Sequence, residues 1–194
     1  LTQLRLSNNW FSVFPPSILS LRMLNSLDMS NNFLTALPSS MPSLTNLGRL
    51  LLNNNQLTAV DGVADLSNLN DLEVNNNRLQ AFPLLLLGSL QTLLARNNLF
   101  ASLYWSNLPL GSLLFLDFSN NAVWFRDSLC SNYYHYPLLS LSLSNNSLSQ
   151  GFTNCVINGV ANALQANRDL ANVLATFPSL QSLDVSYNGL TAPI

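Results

Sequence analysis

Lysine is missing from all 194 residues, every basic side chain is an arginine, and charged residues make up 8% of the chain, against about 25% in an average soluble protein. The net charge is −2, so no bulk field draws the chain to nucleic acid or to an anionic membrane surface. Solubility has to come from asparagine and serine instead. His135 is the one histidine, and no His/Cys/carboxylate grouping offers the three or four convergent ligands of a metal site. No metal or cofactor is expected. Cys130 and His135 lie five residues apart, but nothing supplies the oriented base and oxyanion donors that a nucleophile needs. Glycine-rich phosphate loops, Gly-x-Ser-x-Gly elbows and zinc signatures are all missing, and no catalytic residue is assigned. The longest aliphatic run, Leu84-Leu85-Leu86-Leu87, is far short of the roughly 20 apolar residues of a bilayer span.

What the chain has in abundance is repetition. One template, seen best in Leu24-x-x-Leu27-x-Met29-x-x-Asn32-x-Leu34, recurs from Leu1, Leu47, Leu69, Leu90, Leu113, Leu138 and Leu180. All eight copies close on an asparagine: Asn9, Asn32, Asn55, Asn77, Asn98, Asn121, Asn146 and Asn188. Successive starts are 23, 23, 22, 21, 23, 25 and 42 residues apart, so only the last interval departs from a period of the kind that marks a solenoid. Leu1 already opens a copy and Pro193-Ile194 follow soon after the last one. The expectation is one solenoid over 1–194, cut from a longer chain.

Within a copy, alternation such as Leu4/Leu6, Leu50/Leu52, Leu72/Val74 and Leu141/Leu143 is the period-two signature of a strand with one buried face. Each repeat should therefore give one short parallel strand. The asparagine after it can bond backbone groups of its own coil and of the next, building a ladder. Leu21, Leu44, Leu66, Leu87, Leu110 and Phe177, each three residues before the next start, should plug the outer side. Pro15, Pro38 and Pro83 share one register place and disfavour a long helix there, so that side is expected to be irregular or 3₁₀. After Leu148 the pattern changes. Val156, Ile157, Val160 and Leu164, then Leu170, Val173, Leu174 and Phe177, recur at helical spacing behind Thr153 or Asn154 and behind Asn167 as caps. Residues 149–178 are read as an insertion of two short helices on the convex side, with a degenerate, strandless repeat as the competing reading.

These residues resemble the leucine-rich repeat family over nearly the whole chain, with motifs such as Leu113-x-x-Leu116-x-Phe118-Ser119-Asn120-Asn121. The stretch Leu180-Gln181-Ser182-Leu183-Asp184-Val185-Ser186-Tyr187-Asn188-Gly189-Leu190 looks like extracellular plant-type repeats, whereas Leu34-Thr35-Ala36-Leu37-Pro38 looks like the general typical class and the plant-specific Gly-x-Ile-Pro is missing. The resemblance implies an α/β-type solenoid: a right-handed horseshoe with a parallel concave sheet of about eight short strands, whose inner face binds other macromolecules.

If the strands form, the residues between the buried leucines face inward. Across the coils the third place reads Gln3, Ser26, Arg49, Asp71, Thr92, Phe115, Ser140 and Ser182; the fifth reads Arg5, Asp28, Leu51, Glu73, Leu94, Asp117, Ser142 and Asp184; the seventh adds Arg96. Arg5 with Asp28, Arg49 with Asp71 and Glu73 with Arg96 should neighbour one another. They read either as surface ion pairs, each worth about 0–1 kcal/mol, or as a recognition patch with Phe115, since arginine and aromatics dominate binding hot spots. Trp10 and Phe33 occupy the tenth place of consecutive coils, as aromatic anchors or as packing for a further coil. Ser131-Asn132-Tyr133-Tyr134-His135-Tyr136-Pro137 either contacts a ligand or covers the edge where the insertion docks. Cys130 and Cys155 each lie 17 residues after a repeat start, close enough in neighbouring coils for a disulfide. The matching places hold Ile18, Met41 and Leu86, so two buried thiols are the alternative. A bridge would place the chain in an oxidising compartment. Asn145-Asn146-Ser147 is a glycosylation sequon at Asn145.

The expected function is a non-catalytic recognition module of a secreted or cell-surface ectodomain, binding a protein or peptide on its concave face. A structural subunit contacting neighbouring subunits is the alternative. Binding of ice or polysaccharide by the asparagine run Asn8, Asn31, Asn54, Asn76, Asn97, Asn120 and Asn145 is the third.

Overall fold

The computed structural model describes residues 1–82, 87–104, 108–125, 136–148, 156–157, 160–161 and 177–189. Twelve short strands lie in this span. They are β1 (Gln3–Arg5), β2 (Ser26–Asp28), β3 (Arg49–Leu51), β4 (Asp71–Glu73), β5 (Thr92–Leu94), β6 (Ser102–Leu103), β7 (Phe115–Asp117), β8 (Trp124–Phe125), β9 (Ser140–Ser142), β10 (Val156–Ile157), β11 (Val160–Ala161) and β12 (Ser182–Asp184). Eight of them, β1 to β5 with β7, β9 and β12, form one parallel sheet in chain order. One strand comes from each repeat, as the alternation requires.

The register is the repeat made physical. Leu4, Leu27, Leu50, Leu72, Leu93, Leu116, Leu141 and Leu183 pair in a single file from β1 to β12. Leu27, Leu50, Leu72 and Leu93 are wholly buried, each worth about 1.5–3 kcal/mol of transfer free energy. Behind them Phe82 stacks on Phe100 and Phe100 meets Phe118 edge to face, with centroids 5.0 Å and 5.2 Å apart along the file.

The closing asparagines form the ladder. The Asn55 amide nitrogen donates to Leu52 O in its own coil at 3.1 Å and to Met29 O in the preceding one at 3.0 Å, while its oxygen accepts from Leu34 N at 2.9 Å. Asn77 repeats this with Val74 O, Leu52 O and Leu57 N, and Asn98 with Ala95 O, Val74 O and Leu79 N. One side chain thus satisfies three buried backbone groups that no strand reaches. The residue before each of the first seven ladder asparagines, from Asn8 to Asn145, has φ between 52° and 59°, a left-handed turn that asparagine tolerates better than most residues.

The return segments are 3₁₀ turns at Pro16–Ser20, Met41–Ser43 and Asp61–Val63. Pro15 caps the first with φ −65°, and the Pro38 carbonyl accepts from Met41 N at 3.2 Å. Coil three packs so close to coil two that a Cβ on Gly62 would lie 2.5 Å from the Pro38 oxygen, which is why glycine stands there. Leu44, Leu66, Leu87, Leu110 and Phe177 are buried as plugs and Leu21 is half-buried. Tyr136 rests on Phe177 with centroids 6.0 Å apart. Residues 131–135, Pro83 and both cysteines lie outside the described residues.

Two features depart from expectation. Ser102-Leu103 and Trp124-Phe125 form a second parallel ladder beside the main sheet. Within 149–178, Val156, Ile157 and Val160 are not helical: β10 pairs antiparallel with β11, Ile157 opposite Val160. The helical spacing is coincidental. Val and Ile are β-branched and favour strands, and the two intervening residues in the sequence, Asn158-Gly159, are the strongest short-range hairpin signal there is. The other positions named for the two helices lie outside the described residues, apart from Phe177.

Candidate functional site

The concave surface is a grid whose rows are fixed by strand register. In the third-place row Arg49 pairs with Asp71, Asp71 with Thr92, Thr92 with Phe115 and Phe115 with Ser140. In the fifth-place row Leu51, Glu73, Leu94, Asp117, Ser142 and Asp184 follow one another. All the inward residues expected from the repeat do share this face.

Over coils three to five the polar groups answer each other. Arg49 Nε lies 2.9 Å from Asp71 Oδ2, and its Nη2 reaches diagonally to Glu73 Oε1 at 3.3 Å. The other Glu73 oxygen accepts from Asn53 Nδ2 at 2.7 Å; Asn53 Oδ1 accepts from Asn75 N, and Asn75 Oδ1 from Arg96 N. Burial holds the Asp71 carboxyl above the usual carboxylate range, with Glu73 pushing the same way and Arg49 opposing. Its Oδ1 is buried without a hydrogen-bond partner.

Two expected pairs do not form. Arg5 and Asp28 share a row, but Asp28 Oδ1 accepts from Ser30 N at 2.9 Å, and the only ion pairs among the described residues are those of Arg49. Glu73 does not meet Arg96, because the register sets Glu73 opposite Leu94 and its carboxylate is already taken by Arg49 and Asn53. With the Asn120 amide turned so that its oxygen faces the guanidinium, Arg96 Nε donates to it at 2.9 Å and Nη2 at 3.2 Å.

Coils five to eight are different. Arg96, Asp117, Ser119, Asn120, Ser142, Ser144, Asn145, Asp184, Ser186 and Tyr187 line a cavity of about 510 Å³ open to the concave side. Asp117 Oδ1 accepts from Ser119 N at 2.8 Å, and Asp184 Oδ1 from Ser186 N at 3.0 Å and Ser186 Oγ at 2.7 Å. Hydrogen bonds from Ser186, hydroxyl first and then backbone, with a smaller share from Ser144, hold the Asp184 carboxyl below the usual carboxylate range. Asn145 of the sequon is exposed and lines this cavity, so a glycan there and a ligand in the cavity exclude one another. Tyr187 takes the left-handed turn with φ 55° in the place of the seven asparagines.

Sequence reasoning missed the cavity and the Asp-x-Ser device behind it. Its signals were present in the two triplets Asp117-Phe118-Ser119 and Asp184-Val185-Ser186, and in the break of the asparagine run at Tyr187. Off the sheet, Trp10 and Phe33 stack at 5.4 Å and 15°, with Trp10 85% exposed.

A family model for the leucine-rich repeat matches residues 1–21 and 23–44, the first two coils of the eight-stranded file. Those two coils match the leucine-rich repeat, and the described chain has the leucine-rich-repeat solenoid fold. No curated protein sequence matches it, but solved leucine-rich-repeat structures do. A leucine-rich-repeat protein of Leptospira interrogans is 26% identical with a TM-score of 0.79 over 97% of this chain and 44% of its own. The plant peptide hormone receptor RGFR1, solved in complex with RGF2, is 29% identical with a TM-score of 0.71 over 96% of this chain and 28% of its own. YopM of Yersinia enterocolitica is 27% identical with a TM-score of 0.65 over 96% and 38%. The chain spans less than half the length of each of these proteins. The fold is commonly a non-catalytic interaction module, and among the described residues no helix is long and apolar enough to cross a membrane.

Proposed function

We propose that the chain is a non-catalytic recognition module that binds a protein or peptide along its concave face, as part of a secreted or cell-surface ectodomain. The observation that carries this reading is the segregation of Arg49, Asp71, Glu73, Arg96, Asp117 and a 43% exposed Phe115 onto one sheet face, in a chain with only 8% charge. Aromatic and arginine side chains set among polar neighbours are the usual anchors of protein interfaces. The complex of the plant peptide hormone receptor RGFR1 with RGF2 supports a peptide-sized ligand. Arg5 and Asp28 extend the surface, and the Trp10–Phe33 stack offers a second contact beside it.

The test is selection of a random peptide library on the immobilised chain. Binders should lose at least tenfold in affinity, about 1.4 kcal/mol, on Phe115→Ala or Arg49→Glu. They should be unaffected by Ser17→Arg on the 3₁₀ side. Selected peptides indifferent to both concave substitutions would remove the reading.

A further inference from the structure

We propose that the cavity over coils five to eight receives one basic side chain, arginine or lysine, of the peptide or protein that lies along the concave face. This rests on the concave face being the binding surface, and it names what that surface selects.

The register supplies the geometry. Asp117 and Asp184 both pair with Ser142, so the two carboxylates stand on one row with a single short residue between them. Two strand spacings put their Cα atoms about 9–10 Å apart. Side chains of that length leave a notch in which one guanidinium or ammonium reaches both. Its floor is hydroxyl-lined by Ser142 and Ser144, acceptors for the remaining N–H groups of such a head.

Among the described residues the notch holds no cation besides Arg96. Arg96 is the one basic residue on the lining and is engaged by Asn120, while Arg49 accounts for the ion pairs among the described residues. Two carboxylates against one guanidinium leave a single negative charge for a partner to neutralise. Arg96 at the far end repels a second cation, which limits occupancy to one basic residue and sets its direction.

The carboxylates are also held before any ligand arrives. One oxygen of each is tied to the backbone two residues on, at 2.8 Å and 3.0 Å. That fixes two side chains which would otherwise lose freedom on binding. Tyr187 stands on the rim, 85% exposed, in a left-handed conformation that is costly for an aromatic residue. Its ring face is a cation–π platform for the same head group. A neutral sugar would use the hydroxyls and the ring but gains nothing from a second ionised carboxylate.

The test uses the full chain made in bacteria, so that Asn145 carries no glycan, labelled with ¹⁵N and titrated with Nα-acetyl-arginine amide, Nα-acetyl-lysine amide, Nα-acetyl-glutamine amide or methyl glucoside. The basic probes should shift the amides of Ser119, Ser142, Ser144 and Ser186 at concentrations at least tenfold below the other two. Asp117→Asn with Asp184→Asn should abolish the response; asparagine keeps the Oδ1 acceptor, so the turns survive. Asp61→Asn, at an exposed aspartate on the 3₁₀ side, should leave it unchanged. Equal shifts from glutamine amide or glucoside, silence of these amides, or a response that survives the double substitution would each overturn the proposal. If library peptides still depend on Phe115 and Arg49 while the probes fail, the cavity inference falls and the binding surface stands.

Discussion

Across coils three to five the inner wall is closed on itself: Arg49 spans Asp71 and Glu73, and Asn53 and Asn75 pass hydrogen bonds from coil to coil. Across coils six to eight the same places hold Asp117, Ser142 and Asp184, and each aspartate turns back to its own strand through Ser119 or Ser186. The scaffold beneath is identical, with the same leucine file and the same asparagine ladder. What differs is where the polar groups find partners. In the first wall the charged groups are already paired from coil to coil; in the second each aspartate is tied within its own strand and faces the trough without an ion-pair partner among the described residues.

The comparison breaks most severely at the joint between the two regions. Phe100 is fully buried, stacks on Phe82 and meets Phe118 edge to face, so Phe100→Ala should cost about 3–5 kcal/mol in urea unfolding. A solenoid propagates through neighbouring coils; a second transition in that experiment would show the two regions uncoupled.

Next comes the ladder, common to both. Asn77→Ala leaves Leu57 N without its acceptor and takes one of two asparagine donors from each of Leu52 O and Val74 O, and Asn146→Ala does the same to Val123 N, Phe118 O and Leu143 O. Each should lose about 1–3 kcal/mol by the same measurement, the exposed-charge region no less than the closed one. Gly62→Ala should cost about 1–3 kcal/mol, because the new methyl meets a backbone oxygen that cannot move without its 3₁₀ turn.

Smaller effects sharpen the contrast. Arg49→Ala should cost at most about 1 kcal/mol, since its side chain is half exposed. It should also raise the Asp71 pKa further by removing the one group that opposes burial, as read by a carbon-13 titration. Asp71 binds its proton more tightly folded than unfolded, so its ionisation subtracts stability as pH rises from 3.8 through its raised value. Asp184 works the other way. Its lowered pKa adds stability that is present above 3.8 and lost as pH falls through the folded value, and Ser186→Ala should bring that pKa back up.

The repeat made the fold legible because a solenoid turns column positions into neighbours. The leucine file, the asparagine ladder and the row Arg49–Asp71 follow from spacing alone. Spacing does not say which of two neighbours a side chain chooses. Arg49 takes a diagonal to Glu73 that leaves nothing for Arg96, and Asp28 prefers the amide two residues on to the guanidinium across the row. The cavity was hidden for a related reason. It exists because short serines stack in register between two aspartates, a property of three coils together and of none singly. The stretch 156–161 misled because three apolar residues fit either period, and the Asn-Gly between them outweighed the spacing.

The outer side has a bearing on what can be bound. In coils one to three its return segments are single 3₁₀ turns rather than α-helices, which with side chains would be about 10–12 Å across. In those coils the outer side therefore adds less bulk than a helix would to the roughly 4.7–4.9 Å between strands inside. If an extended polypeptide binds the inner wall as proposed, its rise of about 3.3 Å per residue is less than one strand spacing, so the order of its side chains would map onto the order of the repeats.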